Sequence, residues 1–166
     1  MLRYRIDGDR LSIEGDLDEG VTASEVEALL GAGRQSVRDS ELKLDLSGVV
    51  HANSLGIRAW LTGFRKSRGP YCYVRMPVWL VAQCNMISEF MAGEVRVDSL
   101  FAPFYCVQSG ETIERLLVVG KDVPLLEDYS SFDFPFVSAD NKVYEPDFDA
   151  AEHFGFLRHL TKRSSA

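Results

Sequence analysis

The sequence has little of three features that would point to particular classes of protein. It contains only three cysteines, Cys72, Cys84 and Cys106, and an odd number of widely spaced cysteines indicates buried or reduced thiols rather than a disulfide framework. No apolar run approaches the roughly 20 residues that a membrane-spanning helix requires, and the first residues lack the apolar core of a signal peptide. We therefore expect a cytoplasmic protein without a membrane partner.

Basic residues are also scarce. The chain has 18 Lys and Arg against 25 Asp and Glu, which gives a formal charge of −7. Binding to a phosphate backbone requires clustered basic side chains, so the composition argues against a nucleic-acid partner. The 166 residues, 46% of them hydrophobic, are enough for one domain with a small extension.

The most informative stretch runs from residue 42 to 66 and predicts a strand, a turn and a helix. Leucines alternate with polar residues over 42–46, which is typical of a strand, and we expect this strand to end at Gly48. Asn53 and Ser54 are residue types that cap helix N-termini. A helix should therefore begin there, and its apolar residues recur at helical spacing: Ile57, Trp60, Leu61 and Phe64.

The surrounding sequence predicts a regular alternation of strands and helices. Capping residues, glycines and prolines mark the boundaries of these elements. The predicted elements are a hairpin over 4–13, a helix from Thr22 that ends at Gly31 and Gly33, a strand over 71–76, a helix over 81–91 and a strand near 95–97. The order β-β-α-β-α-β-α-β predicts an α/β fold whose helices lie mainly on one side of the sheet.

Residues 45–57, DLSGVVHANSLGI, resemble the central signature of the STAS domain, the family of sulfate transporters and anti-sigma factor antagonists. Residues 15–18, Gly-Asp-Leu-Asp, resemble the segment that closes the second strand in this family. The resemblance covers residues 1–99 and is closest to a bacterial offshoot of STAS-like proteins. It places Ser54 at the phosphoacceptor position, with Asn53 where the family usually has Asp, and Gly56 matching.

This resemblance implies a non-enzymatic signalling module similar to anti-sigma factor antagonists. Its partner would be a regulatory protein, an anti-sigma factor or a serine-kinase-like protein, bound through the turn at Ser54 and the exposed side of the helix. The candidate partner-binding residues are Asn53, Gly56, Arg58 and Thr62. A phosphate on Ser54 would be tolerated by the helix dipole but would oppose docking of the partner.

Three alternatives remain open at this stage. Asn53 and Ser54 fit a purely structural capping role, and the chain would then be a phosphorylation-independent scaffold or structural interaction protein that kept the STAS fold. A small ligand between the sheet and the tail is a weaker hypothesis. A hydrolase is disfavoured because Ser54 near His51 lacks the Gly-x-Ser-x-Gly elbow and an acidic partner. The sequence leaves homo-oligomerisation open.

Residues 100–166 predict a separate extension, with a β-hairpin around residues 108–110 and a last helix that begins at Asp149. This part resembles a degenerate zinc ribbon, because Cys106-Val-Gln-Ser109-Gly110 stands where Cys-x-x-Cys-Gly is expected and residues 136–149 lack both further cysteines. Structural zinc requires four close ligands, so we expect no metal and no cofactor. We expect the tail to pack on the first domain, and three phenylalanines to pack in place of the metal: Phe132, Phe134 and Phe136.

Overall fold

The alternating apolar residues of the first hundred positions form a five-stranded sheet with three helices. The computed structural model describes residues 2–135, 137–139 and 141–160. The predicted order of elements is observed as β1 (Arg3–Asp7), β2 (Arg10–Leu17), α1 (Ala23–Val37), β3 (Leu42–Ala52), α2 (Ser54–Lys66), β4 (Tyr71–Val74), α3 (Val78–Met86) and β5 (Val95–Val97).

The sheet is mixed, with the strands in the order β1-β2-β3-β4-β5. β1 is antiparallel to β2, and the remaining neighbours are parallel. Right-handed crossovers that all advance in one direction place the connecting helices on one face. Tyr73 of β4 lies on this face, because its ring stacks on Phe64 of α2 with the ring centroids 6.4 Å apart. Burial is the main cause of the raised pKa of Tyr73, and nearby Cys84 of α3 adds to it, so both α2 and α3 cover this tyrosine. The predicted α/β class is confirmed.

The covered face of the sheet forms an aliphatic core. Leucines of β2 and β3 point into it and are at most 1% exposed. Trp60 and Phe64 of α2 pack against them, as the helical spacing predicted. Burying one such side chain contributes roughly 1.5 to 3 kcal/mol, so this face fixes the position of α2 on the sheet.

The predicted ends of β3 at Gly48 and of α1 at Gly33 are both wrong. At each position the glycine lets its element pack closely against a neighbouring element instead of ending it. β3 does not end at Gly48 but continues to Ala52, because β2 remains paired beside it with a shifted register. α1 does not end at Gly33 but continues to Val37. A Cβ atom on Gly33 would lie 2.8 Å from Leu42, so this glycine lets α1 approach the sheet.

The region around α3 also differs from the prediction. β4 ends at Val74 because Arg75 has a φ of 52°, which does not continue a strand. α3 begins and ends earlier than predicted, and a 3₁₀ turn follows over Ser88–Met91. The Trp79 indole Nε1 donates to the Val49 carbonyl at 2.8 Å, which ties the start of α3 to the end of β3.

The tail forms a second, antiparallel sheet in the order β7-β6-β9-β8. Its elements are β6 (Ser99–Cys106), β7 (Thr112–Val118), β8 (Val137–Ala139), β9 (Lys142–Pro146) and α4 (Ala150–Phe154). The predicted hairpin is confirmed as β6 and β7. The Asp149 carboxylate accepts from the Glu152 N–H at 3.0 Å, which confirms the predicted start of the last helix. A 3₁₀ turn over Gly155–Leu157 follows α4, and the predicted basic end at Lys162 and Arg163 and the terminal residues 164–166 lie outside the described residues.

Aromatic rings fill the core of the tail, as predicted for Phe132 and Phe134. Phe134 contacts Phe104 edge-to-face at 5.7 Å and Phe132 at 6.1 Å. Phe154 contacts both Phe132 and Phe134. Phe136 lies outside the described residues, and among those that are described no three His, Cys, Asp or Glu side chains are grouped to hold a metal ion.

The two sheets share one connected hydrophobic core, which confirms that the tail packs on the first part of the chain. Asn85 of α3 joins them, because its amide donates to the His153 carbonyl at 3.0 Å and its oxygen accepts from the Phe156 N–H at 2.9 Å. The proposed division between residues 99 and 100 falls at the start of β6. Among the helices in the described residues, none combines the length and apolar composition that a bilayer crossing requires.

Candidate functional site

The candidate site is the start of α2, where the chain leaves β3 beside the end of β2. The Asn53 side-chain oxygen accepts from the N–H groups of Leu55 at 3.1 Å and Gly56 at 3.0 Å. The Asn53 N–H donates to the Leu17 carbonyl at 3.0 Å. The predicted helix start is confirmed, but the cap is Asn53 alone, and Ser54 is the first helical residue.

Gly56 has a structural part in this site. It is buried, and a Cβ atom at this position would lie 1.9 Å from the Leu17 carbonyl oxygen. Backbone atoms cannot yield to such a contact, so only glycine lets the first turn of α2 rest on the end of β2. Gly56 was predicted as a partner-binding residue, but the structure places it in the interior, where it positions its neighbours.

Ser54 is exposed, and its hydroxyl makes no hydrogen bond to any of the residues that the structure describes. The Asn53 side-chain oxygen accepts from the N–H groups of Leu55 and Gly56 but not from the N–H of Ser54. A phosphate on Ser54 would therefore meet a free amide and the positive end of the helix dipole. The hydroxyl is accessible, so the geometry permits modification by another protein.

Charges of both signs flank Ser54. The Glu19 carboxylate accepts from the Asn53 amide nitrogen at 2.7 Å, so an acidic group stands beside the neutral residue 53. Arg58 lies four residues after Ser54, on the same side of α2, and is exposed. Within the described part of the chain Arg58 forms no ion pair, so its guanidinium is available to a phosphate or to an acidic group of a partner.

Two grooves run along α2, one on each side of Arg58 and Thr62. The α2–α3 groove has a volume of about 410 Å³, and the α1–α2 groove has a volume of about 340 Å³. The Thr62 hydroxyl donates to the Arg58 carbonyl at 2.8 Å. The α2–α3 groove is also lined by Ala52, Ser54, Ile57, Leu61, Arg65, Gln83 and Ile87, and the α1–α2 groove by Glu19, Val21, Ala23, Leu55 and Ala59.

Three exposed apolar side chains near the start of α2 and the end of α3 were not predicted from the sequence. Val50 is 81% exposed at the end of β3, Leu55 is 48% exposed in the first turn of α2, and Met86 is 70% exposed at the end of α3. Leu55 had a usable signal, because it lies outside the apolar stripe that faces the core. Of the three, Leu55 lines the α1–α2 groove beside Arg58 and Thr62, so it adds apolar area to the exposed surface next to Ser54.

The buried thiols do not contribute to this site. Burial raises the pKa of Cys72 to about 11 and raises the pKa of Cys84 well above its ordinary value. Both thiols are therefore protonated at neutral pH and unreactive. This agrees with the interpretation of Cys72 and Cys84 as small buried hydrophobic residues.

No protein-family model, no curated protein and no solved structure matches this chain. A functional conclusion therefore rests on the motif at residues 45–57 and on the geometry around Ser54.

Proposed function

We propose that the chain is a non-enzymatic, cytoplasmic binding module similar to anti-sigma factor antagonists, controlled by phosphorylation of Ser54. Its partner would be a regulatory protein such as an anti-sigma factor or a serine-kinase-like protein. One observation carries the proposal: an exposed serine hydroxyl without a hydrogen bond among the described residues stands at a helix start that its neighbour Asn53 already caps.

The order of strands and helices supports a STAS-like fold for residues 1–99. The motif resemblance places the phosphoacceptor between a strand and a helix, and Ser54 follows β3 and begins α2. A hydroxyl that capped the helix would be costly to modify, because the cap would be lost. Ser54 has no such duty, so its phosphorylation is compatible with an unchanged fold.

The partner would dock over the first two turns of α2. Leu55 would supply apolar contact, and Arg58 and Thr62 would supply polar contact between the two grooves. A phosphate on Ser54 would be desolvated by such a partner at a cost of several kcal/mol. It would also pair with Arg58 one turn later and remove that cation from the partner. Both effects weaken the complex and leave the free protein folded.

A phosphorylation-independent scaffold is the second candidate, and Glu19 favours it. The Glu19 carboxylate is held 2.7 Å from the Asn53 amide nitrogen, so a negative charge already stands beside Ser54. This charge repels a phosphate. In the scaffold, the same exposed surface of α2 would bind a partner without a switch.

The test is an affinity measurement with the protein that the wild-type chain captures from its native cell. Chain phosphorylated at Ser54, verified by intact mass, should bind at least about a hundredfold more weakly than Ser54→Ala. Ser54→Asp should fall between them, because it carries one charge where phosphate carries nearly two. Ser109→Asp, a matched charge on an exposed serine of the tail, should bind like wild type. Equal binding of phosphorylated chain and Ser54→Ala would establish the scaffold instead.

A further inference from the structure

β1 forms an edge of the five-stranded sheet, and all five of its residues are exposed. An edge strand presents unpaired N–H and C=O groups to any strand that can align with it, and natural edges are commonly protected by charged side chains, proline or a bulge. β1 has neither proline nor a bulge, and its pairing to β2 is regular. Its three charged residues, Arg3, Arg5 and Asp7, are of mixed sign, so they oppose some partner strands and favour one whose charges are complementary. β1 is thus open to a further strand.

The hairpin turn determines which groups point outward. Gly8 and Asp9 form a two-residue loop that closes on the pair Asp7 and Arg10, and such a loop closes on a hydrogen-bonded pair. Hydrogen-bonded pairs then alternate along the hairpin, so the odd-numbered residues of β1 bond to β2. The N–H and C=O groups of Tyr4 and Ile6 point away from the sheet, and no strand within the described part of the chain bonds to them.

The side chains of β1 divide into two sets. Tyr4 and Ile6 pair with the core residues Ile13 and Leu11, so they lie on the helix-covered face, yet they are 50% and 36% exposed. The helices therefore leave an apolar strip uncovered at this edge. Arg3, Arg5 and Asp7 lie on the opposite face. The ion pair of Arg3 with Glu14 is long, at 3.9 Å, and both side chains are largely exposed, so it restrains Arg3 little.

We propose that two copies of this chain associate through antiparallel pairing of their β1 strands, with the two-fold axis at Arg5. In this register Tyr4 lies opposite Ile6 of the second copy, and Arg3 lies opposite Asp7 of the second copy. The outward groups of Tyr4 and Ile6 then form backbone hydrogen bonds to each other across the axis. The five strands of each copy join into one continuous sheet, and the uncovered apolar strips meet.

Two neighbouring registers are worse. Centring the pair on Tyr4 places Arg3 opposite Arg5 of the second copy, which sets like charges against each other. Centring it on Ile6 pairs Arg5 with Asp7 of the second copy, but Tyr4 then lies opposite Gly8 of the hairpin loop. Only residues 5–7 of each β1 face each other in that register, so the outward backbone groups of Tyr4 lose their strand partners. In the proposed register a single like-charge pair remains, between the two copies of Arg5. Because the contact is confined to one short strand, the association should be reversible and weak.

A two-fold axis perpendicular to the sheet keeps the helices of both copies on one face. It also reverses the direction of every strand in the second copy. The two α2 starts therefore lie at opposite ends of the joined sheet, and neither Ser54 is covered by the association. The dimer is independent of the proposed phosphorylation switch and would persist in its absence.

The test is analytical ultracentrifugation of charge variants at Arg3 and Asp7, alone and mixed, beside wild type and Arg5→Thr. Arg3→Asp alone and Asp7→Arg alone each turn both symmetric Arg–Asp pairs into like-charge pairs, so each variant should self-associate about tenfold more weakly than wild type. An equimolar mixture of the two variants restores opposite charges in both pairs of the heterodimer and should associate with near wild-type affinity. Arg5→Thr should tighten the dimer several-fold, because the one repulsive pair is removed.

All three positions are exposed, so the melting temperatures of the variants should stay within a few degrees of wild type, with small losses for Arg3→Asp opposite Glu14 and for Asp7→Arg opposite Arg10. A wild-type chain that stays monomeric up to about 1 mM would overturn the proposal. So would a mixture of the two charge variants that associates no better than either variant alone, because a dimer through another surface would be insensitive to the exchange.

Discussion

The two sheets build their cores from different mixtures of side chains. Under α1 and α2 the core is mainly aliphatic, with leucines at alternate positions over 42–46 of β3 and a small group of rings from α2 and β4 beside them. In the tail the core is aromatic, with Phe154 in contact with Phe132, Phe134, Phe148 and Tyr129. Aliphatic side chains follow the period of the element that carries them, and β6 of the tail shows this too, with Leu100, Ala102 and Phe104 buried at alternate positions. Most rings of the second core come instead from the chain between β7 and β8 and from the region of α4, and they meet at tilted or edge-to-face angles. Regularity along the sequence therefore marks the first core and β6, but not the ring cluster of the tail.

The aromatic core still bears on the candidate site. Gln83 and Ile87 of the α3 region line the α2–α3 groove, and Asn85 between them is bonded to His153 and Phe156 of the tail. The tail thus holds one wall of the groove beside Ser54. A change in the tail can alter this groove without touching α2.

The largest expected effect tests whether the two cores unfold together. Phe154→Ala removes a fully buried ring at the centre of the aromatic cluster and should cost about 3 to 5 kcal/mol. The chain has two tryptophans, so both proteins are measured in a Trp79→Phe background that leaves Trp60 in α2 as the fluorescent reporter. Because one connected core spans both sheets, this fluorescence should report the same destabilised transition as circular dichroism in a urea titration. Tyr105→Ala, at a residue 39% exposed on β6, is the matched control and should change stability little. A Trp60 transition unmoved by Phe154→Ala would show that the cores are independent.

The second effect is a pH dependence located in the tail. Burial lowers the pKa of His153 to about 4, although a backbone hydrogen bond with Phe101 opposes this shift. The unfolded chain takes up a proton near the ordinary pKa of about 6.5, so the native state loses stability as pH falls from there toward 4. The loss attributable to this group is about 3 kcal/mol.

His153→Phe should abolish this part of the pH dependence, because phenylalanine can retain the stacking on Phe148 without an ionisable group. The measurement is the free energy of unfolding of both proteins at several values between pH 7 and pH 4. Parallel curves for the two proteins would contradict the prediction. A free energy of unfolding of wild type that falls by about 3 kcal/mol relative to that of the variant between pH 7 and pH 4 would assign the sensitivity to His153.

The third effect concerns close packing in the first domain. Gly56→Ala places a methyl group against the Leu17 carbonyl oxygen and should cost about 1 to 3 kcal/mol, because the start of α2 must move off β2. Gly31→Ala is the matched control in α1, where a Cβ meets no atom within 4 Å. It should stabilise the chain by about 0.5 to 1 kcal/mol, since alanine favours helices. Equal effects of the two substitutions in thermal unfolding would show that the contact at Gly56 is unimportant.

The comparison of the two cores also shows what the sequence could predict. Alternation at 42–46 and helical spacing from Ile57 to Phe64 predicted β3 and α2. Each of these elements has one buried and one exposed face, so its apolar residues recur with the period of a strand or of a helix. Gly33 and Gly48 were misinterpreted as ends, because a local signal cannot distinguish a helix stop from a close approach to another element. The exposure of Leu55 and the bond from Glu19 to Asn53 depend on which elements become neighbours in the fold.

The smallest expected effect separates the cap of α2 from its candidate phosphoacceptor. Asn53→Ala removes the side-chain oxygen that accepts from Leu55 and Gly56 and should cost about 1 kcal/mol. Ser54→Ala should be nearly neutral, because its hydroxyl bonds to none of the described residues and alanine suits a helix. Thermal unfolding of the two variants side by side measures the difference, and Asn53→Ser, which keeps an accepting oxygen without adding a charge beside Glu19, should retain most of the cap. If Ser54→Ala destabilises the chain as much as Asn53→Ala does, the hydroxyl shares the capping role, and phosphorylation of Ser54 would then disturb the helix start itself.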